Sequence, residues 1–180
     1  MKAKISDPRQ RLLDTATELF YNQGYRATGI NQVIREAGVA RASLYLHFAS
    51  KEALLIAFLQ YRHQYWFDAL KTWTEKTAKP KEQIMAAFDF LHDINEKEHF
   101  RGCAFLNILS EMTDKDAAVL QVIQEHKKDL RAYLGHILVK EKQALKDQVY
   151  LLFEAAMIES QLYRHQWPVQ EARKAVSGLL

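Results

Sequence analysis

Arg41, Ser43, Tyr45 and His47 alternate along one short stretch, with Lys51 four residues further on and Thr28 upstream. These side chains supply hydrogen-bond donors and positive charge. Their chemistry is recognition rather than bond making. Arg41 carries a planar fork that fits the two acceptors on a guanine edge. The hydroxyls of Ser43 and Tyr45 suit phosphate oxygens or base edges, and His47 stands near the end of the same stretch. Lys51 falls in the first turn of a following helix, where free backbone N–H groups also attract a phosphate. Thr28 holds the equivalent place on an earlier short helix.

A second constellation is His92, Glu96, His99 and Cys103, spaced four, three and four apart. On an unbroken helix they would share a face and offer metal ligands. Gly102 and the run Glu98, His99, Phe100 argue that the helix stops first, so we expect neither a metal nor another cofactor. Cys103 is the single cysteine, which excludes an internal disulfide framework. Arg101 beside it would favour a thiolate, whereas burial would make it an inert core residue. His92 or His99 as a general base lacks a nucleophile and an orienting partner at matching spacing, so the chain is not expected to be an enzyme.

The recognition residues need helices to hold them. Residues 9–23 place Leu12, Leu13, Ala16, Leu19 and Phe20 on one face. Two short helices follow, over residues 29–36 and 40–47, with Gly38 giving the sharp turn between them. Thr28 is placed to cap the first, and Ser50 to cap a long helix from residue 51 to about 76. Leu12, Ala16, Leu19, Phe20, Ile30, Val33, Val39, Leu44 and Phe48 would form the core. Further helices are expected over about 81–98, 104–112, 116–139, 142–166 and 169–180, with Pro80, Gly102 and the pair Trp167, Pro168 as breaks. No strand alternation, repeat or low-complexity tract is visible. The fold class is all-α, with about nine helices.

The stretch GYRATGINQVIREAGVARASLYLHFASKEAL, residues 24–54, is a helix-turn-helix pattern, whose second helix can enter the DNA major groove. It resembles the DNA-binding segment of the TetR family of bacterial transcription regulators. The matching residues are Gly24, Tyr25, Thr28, Ala37, Gly38, Val39, Ser43, Leu44, Tyr45, His47, Phe48, Ser50, Lys51 and Glu52. Ile34 departs from the family's usual small alanine, and Ala40 stands where a capping serine is common. The resemblance implies that Thr28, Arg41, Ser43, Tyr45, His47 and Lys51 contact double-stranded DNA. It also implies a division into a helix-turn-helix domain, 1–50, and an effector-binding and dimerisation domain, 51–180.

Within the second part, Gly102 to Asn107 followed by Glu111 resembles the motif that many such effector domains carry along a cavity-lining helix. Aromatic and polar residues at apolar spacing make a candidate pocket for a small-molecule effector: Trp66, Phe88, His92, Cys103, Phe105, Asn107, Glu111, Tyr133 and Phe153. Residues 149–158 read VYLLFEAAMI, apolar nearly all round, which calls for burial on more than one side. By resemblance the last two helices build a homodimer, and Tyr150, Met157, Ile158, Gln161, Leu162, Val176 and Leu179 are its expected interface.

The net charge is +3. Residues 1–55 hold eight basic and five acidic side chains, and the rest of the chain balances. The excess thus sits where phosphates would be met. No apolar run of about twenty residues predicts a membrane helix. The start, MKAKISDPRQR, lacks the apolar stretch of a signal peptide. We expect a cytoplasmic, homodimeric regulator, a repressor released from a palindromic operator by a small apolar effector. The alternative is a redox or electrophile sensor acting through Cys103.

Overall fold

Pro8 opens the first helix, where a missing N–H costs nothing and its fixed φ already suits the helix. The computed structural model describes residues 7–180. Lys2 and Lys4, counted in the basic end, lie outside them. The described residues form nine helices and no strand: α1 (Pro8–Gln23), α2 (Ile30–Ala37), α3 (Arg41–His47), α4 (Lys51–Thr74), α5 (Pro80–Lys97), α6 (Ala104–Leu109), α7 (Ala117–Ile137), α8 (Gln143–Tyr163) and α9 (Trp167–Leu179). The all-helical expectation holds.

The chain forms two compact units. Among the described residues, one comprises 7–62 and 104–123, the other 63–103 and 124–180. In the first, α1 packs on α2 and α3. Leu12, Ala16, Leu19, Phe20, Val33, Leu44 and Phe48 are buried, together with Leu54, Leu55 and Phe58 from α4. Phe20 meets Phe58 edge to face, 5.9 Å between centroids. Ile30 and Val39, expected inside, are only half-buried, while Leu13 and Ala37 are buried. Gly38 ends α2 in the left-handed region, φ 62°, and its N–H reaches the carbonyls of Ile34 and Arg35. Its own carbonyl accepts from Arg11 Nη1 at 3.2 Å.

Thr28 requires a correction. It does not cap α2, whose N-cap is Gly29 with no side-chain bond. Its hydroxyl, fully buried, donates back to the Gly24 carbonyl at 2.7 Å. Ser50 does cap α4, accepting from the Ala53 N–H at 3.0 Å. α4 spans 24 residues, about 36 Å at 1.5 Å per residue.

In the second unit α8 packs against α9 and α5, and α9 against α5. Its centre is aromatic. Trp66 meets Phe90 and Phe153 edge to face at 5.1 and 6.2 Å, and Phe88 meets Phe153 at 5.4 Å. Trp167 and Pro168 do not separate two helices by themselves. They are the first turn of α9, and the break falls at Arg164, which is left-handed at φ 50°. No single helix among the described residues is long and apolar enough to cross a membrane.

Candidate nucleic-acid interface

α3 is seven residues long and is anchored by Leu44 and by Phe48, its C-cap, both buried. Its N-cap, Ala40, makes no side-chain bond, as expected from the missing serine. With Leu44 facing in, the 3.6-residue period turns Ala42 and Leu46 to the opposite side and Tyr45 to the flank, while Arg41 stands at the helix's first turn. Arg41 and Tyr45 are exposed, and Ser43 and His47 half-buried. Leu46 is 80 % exposed, an unusual state for a leucine on so short a helix. It escaped the sequence reading, which sought polar donors, although an apolar side chain there can meet a thymine methyl group. Thr28 leaves this set, because its hydroxyl is spent inside the unit.

Lys51 sits beneath the turn between α1 and α2. Its ammonium donates to the Tyr25 carbonyl at 2.6 Å and lies 4.1 Å from the centre of the Tyr25 ring. Burial pushes the ammonium below its ordinary value, with Arg26 acting the same way and Glu111 opposing. An ammonium has three protons, so one bond to Tyr25 leaves donors for a phosphate. Burial likewise pushes the Tyr25 phenol up, helped by Glu52 and Asp116.

Glu111 was expected along a ligand cavity. It lies beyond the end of α6, in the first compact unit, with its carboxylate on the backbone N–H groups of Tyr25 (3.0 Å) and Arg26 (2.6 Å). Phe105, buried, and Asn107, half-buried, belong to the same unit. The other expected pocket residues lie in the second unit. There Trp66, Phe88 and Phe153 come together as packed core, and Tyr133 pairs with the Thr74 hydroxyl. His92 stands 3.9 Å from Glu96. Only a crevice of about 10 Å³, room for a single water, opens among Trp66, Leu91, Ile94, Asn95, Glu98, Gly102 and Met157.

Among the described residues no three His, Cys, Asp or Glu side chains gather as a metal site. α5 ends at Lys97, and His99 and Phe100 take positive φ, so Cys103 leaves the helical face that His92 and Glu96 share. Cys103 is buried, and Lys127 Nζ lies 3.4 Å from its sulfur. Arg101, not Lys127, was the cation named from sequence, since adjacency along the chain hides a partner 24 residues away. Lys127 also bonds both oxygens of Glu154, at 2.9 and 2.6 Å. Burial would push its ammonium down, but Cys103 and Glu154 more than offset this, so its value is raised.

That shift fixes a sign. A lysine raised on folding adds stability that is fully present below the unfolded value, about 10.4, and lost as pH rises through the folded one. The parent's advantage in thermal midpoint over a Lys127→Met, Glu154→Leu double variant should therefore shrink above about pH 10.4. A constant gap from pH 8 to 11 would contradict it.

On the expected dimer face, Ile158, Leu162 and Leu179 are exposed, and Tyr150 and Gln161 half-buried. Met157 and Val176 are corrections. Both are buried inside their own chain, at 5 % and 0 % exposure, and so cannot form the interface. Leu151, 61 % exposed, was missed. An all-round apolar stretch gives no periodicity from which to choose the outer face. Leu151, Ala155, Ile158 and Leu162 in fact form one exposed stripe at spacings of four, three and four.

Residues 12–58, which contain the whole turn and reading helix, match the family described as bacterial regulatory proteins, tetR family. Residues 12–58 thus carry a TetR-family DNA-binding domain. A TetR-family transcriptional regulator from Streptomyces coelicolor has the same fold, with TM-score 0.82 and 27 % identity over 96 % of this chain and 91 % of its own. The transcriptional regulator LmrA of Bacillus subtilis is 40 % identical over 81 residues, 44 % of this chain and 43 % of its own. The transcriptional activator FasR of Mycolicibacterium smegmatis is 38 % identical over 91 residues, 47 % of this chain and 41 % of its own. The chain thus spans less than half the length of these curated relatives. The family is one of transcription regulators, not enzymes.

Proposed function

We propose that this chain is a cytoplasmic, homodimeric regulator of the TetR family that binds a palindromic operator in double-stranded DNA and acts as a repressor. The observation that carries the reading is the outer face of α3. Arg41, Tyr45 and Leu46 are exposed on a helix whose Leu44 is wholly buried. Ser43, His47 and Lys51 complete the contact set. A dimer built on the exposed α8 stripe and Leu179 would present two such helices to half-sites about 34–36 Å apart. The operator-bound form blocks transcription, and a small apolar effector releases it by favouring the conformation that DNA does not. The second unit, which holds Trp66, Phe88 and Phe153, is the candidate place for that effector.

Selection of duplexes from a random pool, followed by variants, tests this. Arg41→Ala should cost about 1–3 kcal/mol of binding and relax one base position per half-site. Lys51→Ala should weaken all sequences and lessen the salt slope by about one. Salt slopes that match between Lys51→Ala and the parent would remove the phosphate role. Higher reporter expression with the chain present than absent would replace repression by activation.

The proximity of Lys127 to Cys103 favours a second reading, in which oxidants or electrophiles are the trigger. Cys103→Ser would then keep DNA binding and lose that response. The same response in both chains would return the trigger to a small-molecule effector.

A further inference from the structure

The turn between α1 and α2 is held by residues far away in sequence. Glu111 Oε1 accepts from the Tyr25 N–H at 3.0 Å, and Oε2 accepts from the Arg26 N–H at 2.6 Å. The Arg26 side chain returns the contact, its Nε donating to the Glu111 carbonyl at 2.6 Å. From the other side, Lys51 takes the Tyr25 carbonyl at 2.6 Å. Both polar groups of the Tyr25 backbone are therefore gripped, one by the segment after α6 and one by the first residue of α4. Thr28 closes the loop on the Gly24 carbonyl.

Gly24 shows how close the approach is. It sits at φ 94°, and a Cβ there would stand 2.9 Å from Glu111 Oε1. The position calls for glycine by its backbone angle, and a Cβ there would also displace the carboxylate.

Two successive N–H groups converging on one carboxylate form a small anion cradle, and bonds to an ionised acceptor are the strong kind. A glutamine could accept one of the two bonds but would present its own NH₂ to the other donor. An aspartate would keep the charge and fall one methylene short. The α1–α2 turn sets where α2 begins, and α2 with Gly38 sets where α3 lies.

We propose that Glu111 is a positioning residue for DNA recognition, its bidentate grip on the Tyr25 and Arg26 amides fixing the α1–α2 turn in the geometry that α3 needs to read DNA. This rests on the reading of α3 as the recognition helix. It assigns the end of the Gly102–Glu111 motif to the DNA-binding unit rather than to a ligand cavity.

The test uses the full chain and the duplex that the parent selects. Glu111→Gln and Glu111→Asp should each weaken that duplex about tenfold or more, the loss expected of a charge-assisted bond. Affinity for a scrambled duplex and the salt slope should stay near the parent's, and the variants should remain folded at the assay temperature. Amide hydrogen exchange at Tyr25 and Arg26 should speed up in both variants, a readout independent of DNA. Parent-like affinity in Glu111→Gln would overturn the proposal. So would parent-like affinity in Glu111→Asp, which would make charge rather than position the cause. Equal weakening of both duplexes with a lowered thermal midpoint would reduce Glu111 to a structural residue. Failure of the parent to select any duplex sinks the DNA reading itself and the proposal with it. A selecting parent and an unaffected Glu111→Gln sink only the proposal.

Discussion

Glutamate in place of Leu162 or Ile158 should split the proposed dimer and take operator binding with it. Both side chains stand exposed on α8 in a stripe with Leu151 and Ala155. Such a patch on a regulator's terminal helices is better covered than wet. In a two-fold interface one substitution places two carboxylates in the same apolar seam, each without a partner. An uncompensated buried charge costs about 3–5 kcal/mol, which weakens association by roughly two to four orders of magnitude. Sedimentation at micromolar concentration should show the parent as a dimer and Leu162→Glu as a monomer of unchanged helix content. Glutamate at Met157 is a useful contrast. Met157 is buried within its own chain, so that change should unfold the unit rather than dissociate two folded chains. A parent that sediments as a monomer would contradict the interface.

Phe153→Ala should cost about 3–5 kcal/mol of stability, the range for losing a buried aromatic and leaving a cavity. Phe153 has no exposed surface and packs edge to face on both Trp66 and Phe88. Against a typical total of about 5–15 kcal/mol, that is a large share. The shift should appear in the urea midpoint with little change in slope. A loss below about 1 kcal/mol would mean that the three rings are not close-packed, and would restore Phe88 and Phe153 as cavity walls.

Local sequence carried the reading end well. Apolar spacing along residues 9–23, the left-handed Gly38 and the Ser50 cap are all set by neighbours within a few residues, so pattern and propensity find them. Long-range partners were not legible. Glu111 reads as one more polar residue after a helix, because its partners, the amides of Tyr25 and Arg26, lie 85 and more residues back. Thr28 misled for the same reason. Its type suits a helix cap, but the tight turn brings the Gly24 carbonyl closer. Val176 and Met157 show that an apolar residue on a terminal helix does not by itself say which neighbour buries it. The candidate pocket fared likewise, since the aromatics that mark a cavity in sequence also fill a core.

The dissociation constant of the full chain should be measured for a palindromic duplex it selects and for a scrambled duplex of equal length, across several salt concentrations. Specific binding should be tighter by about 10³-fold or more, with affinity for both duplexes falling steeply as salt rises. Equal affinity for the two duplexes at every salt concentration would contradict the assignment of α3 as a reader of sequence.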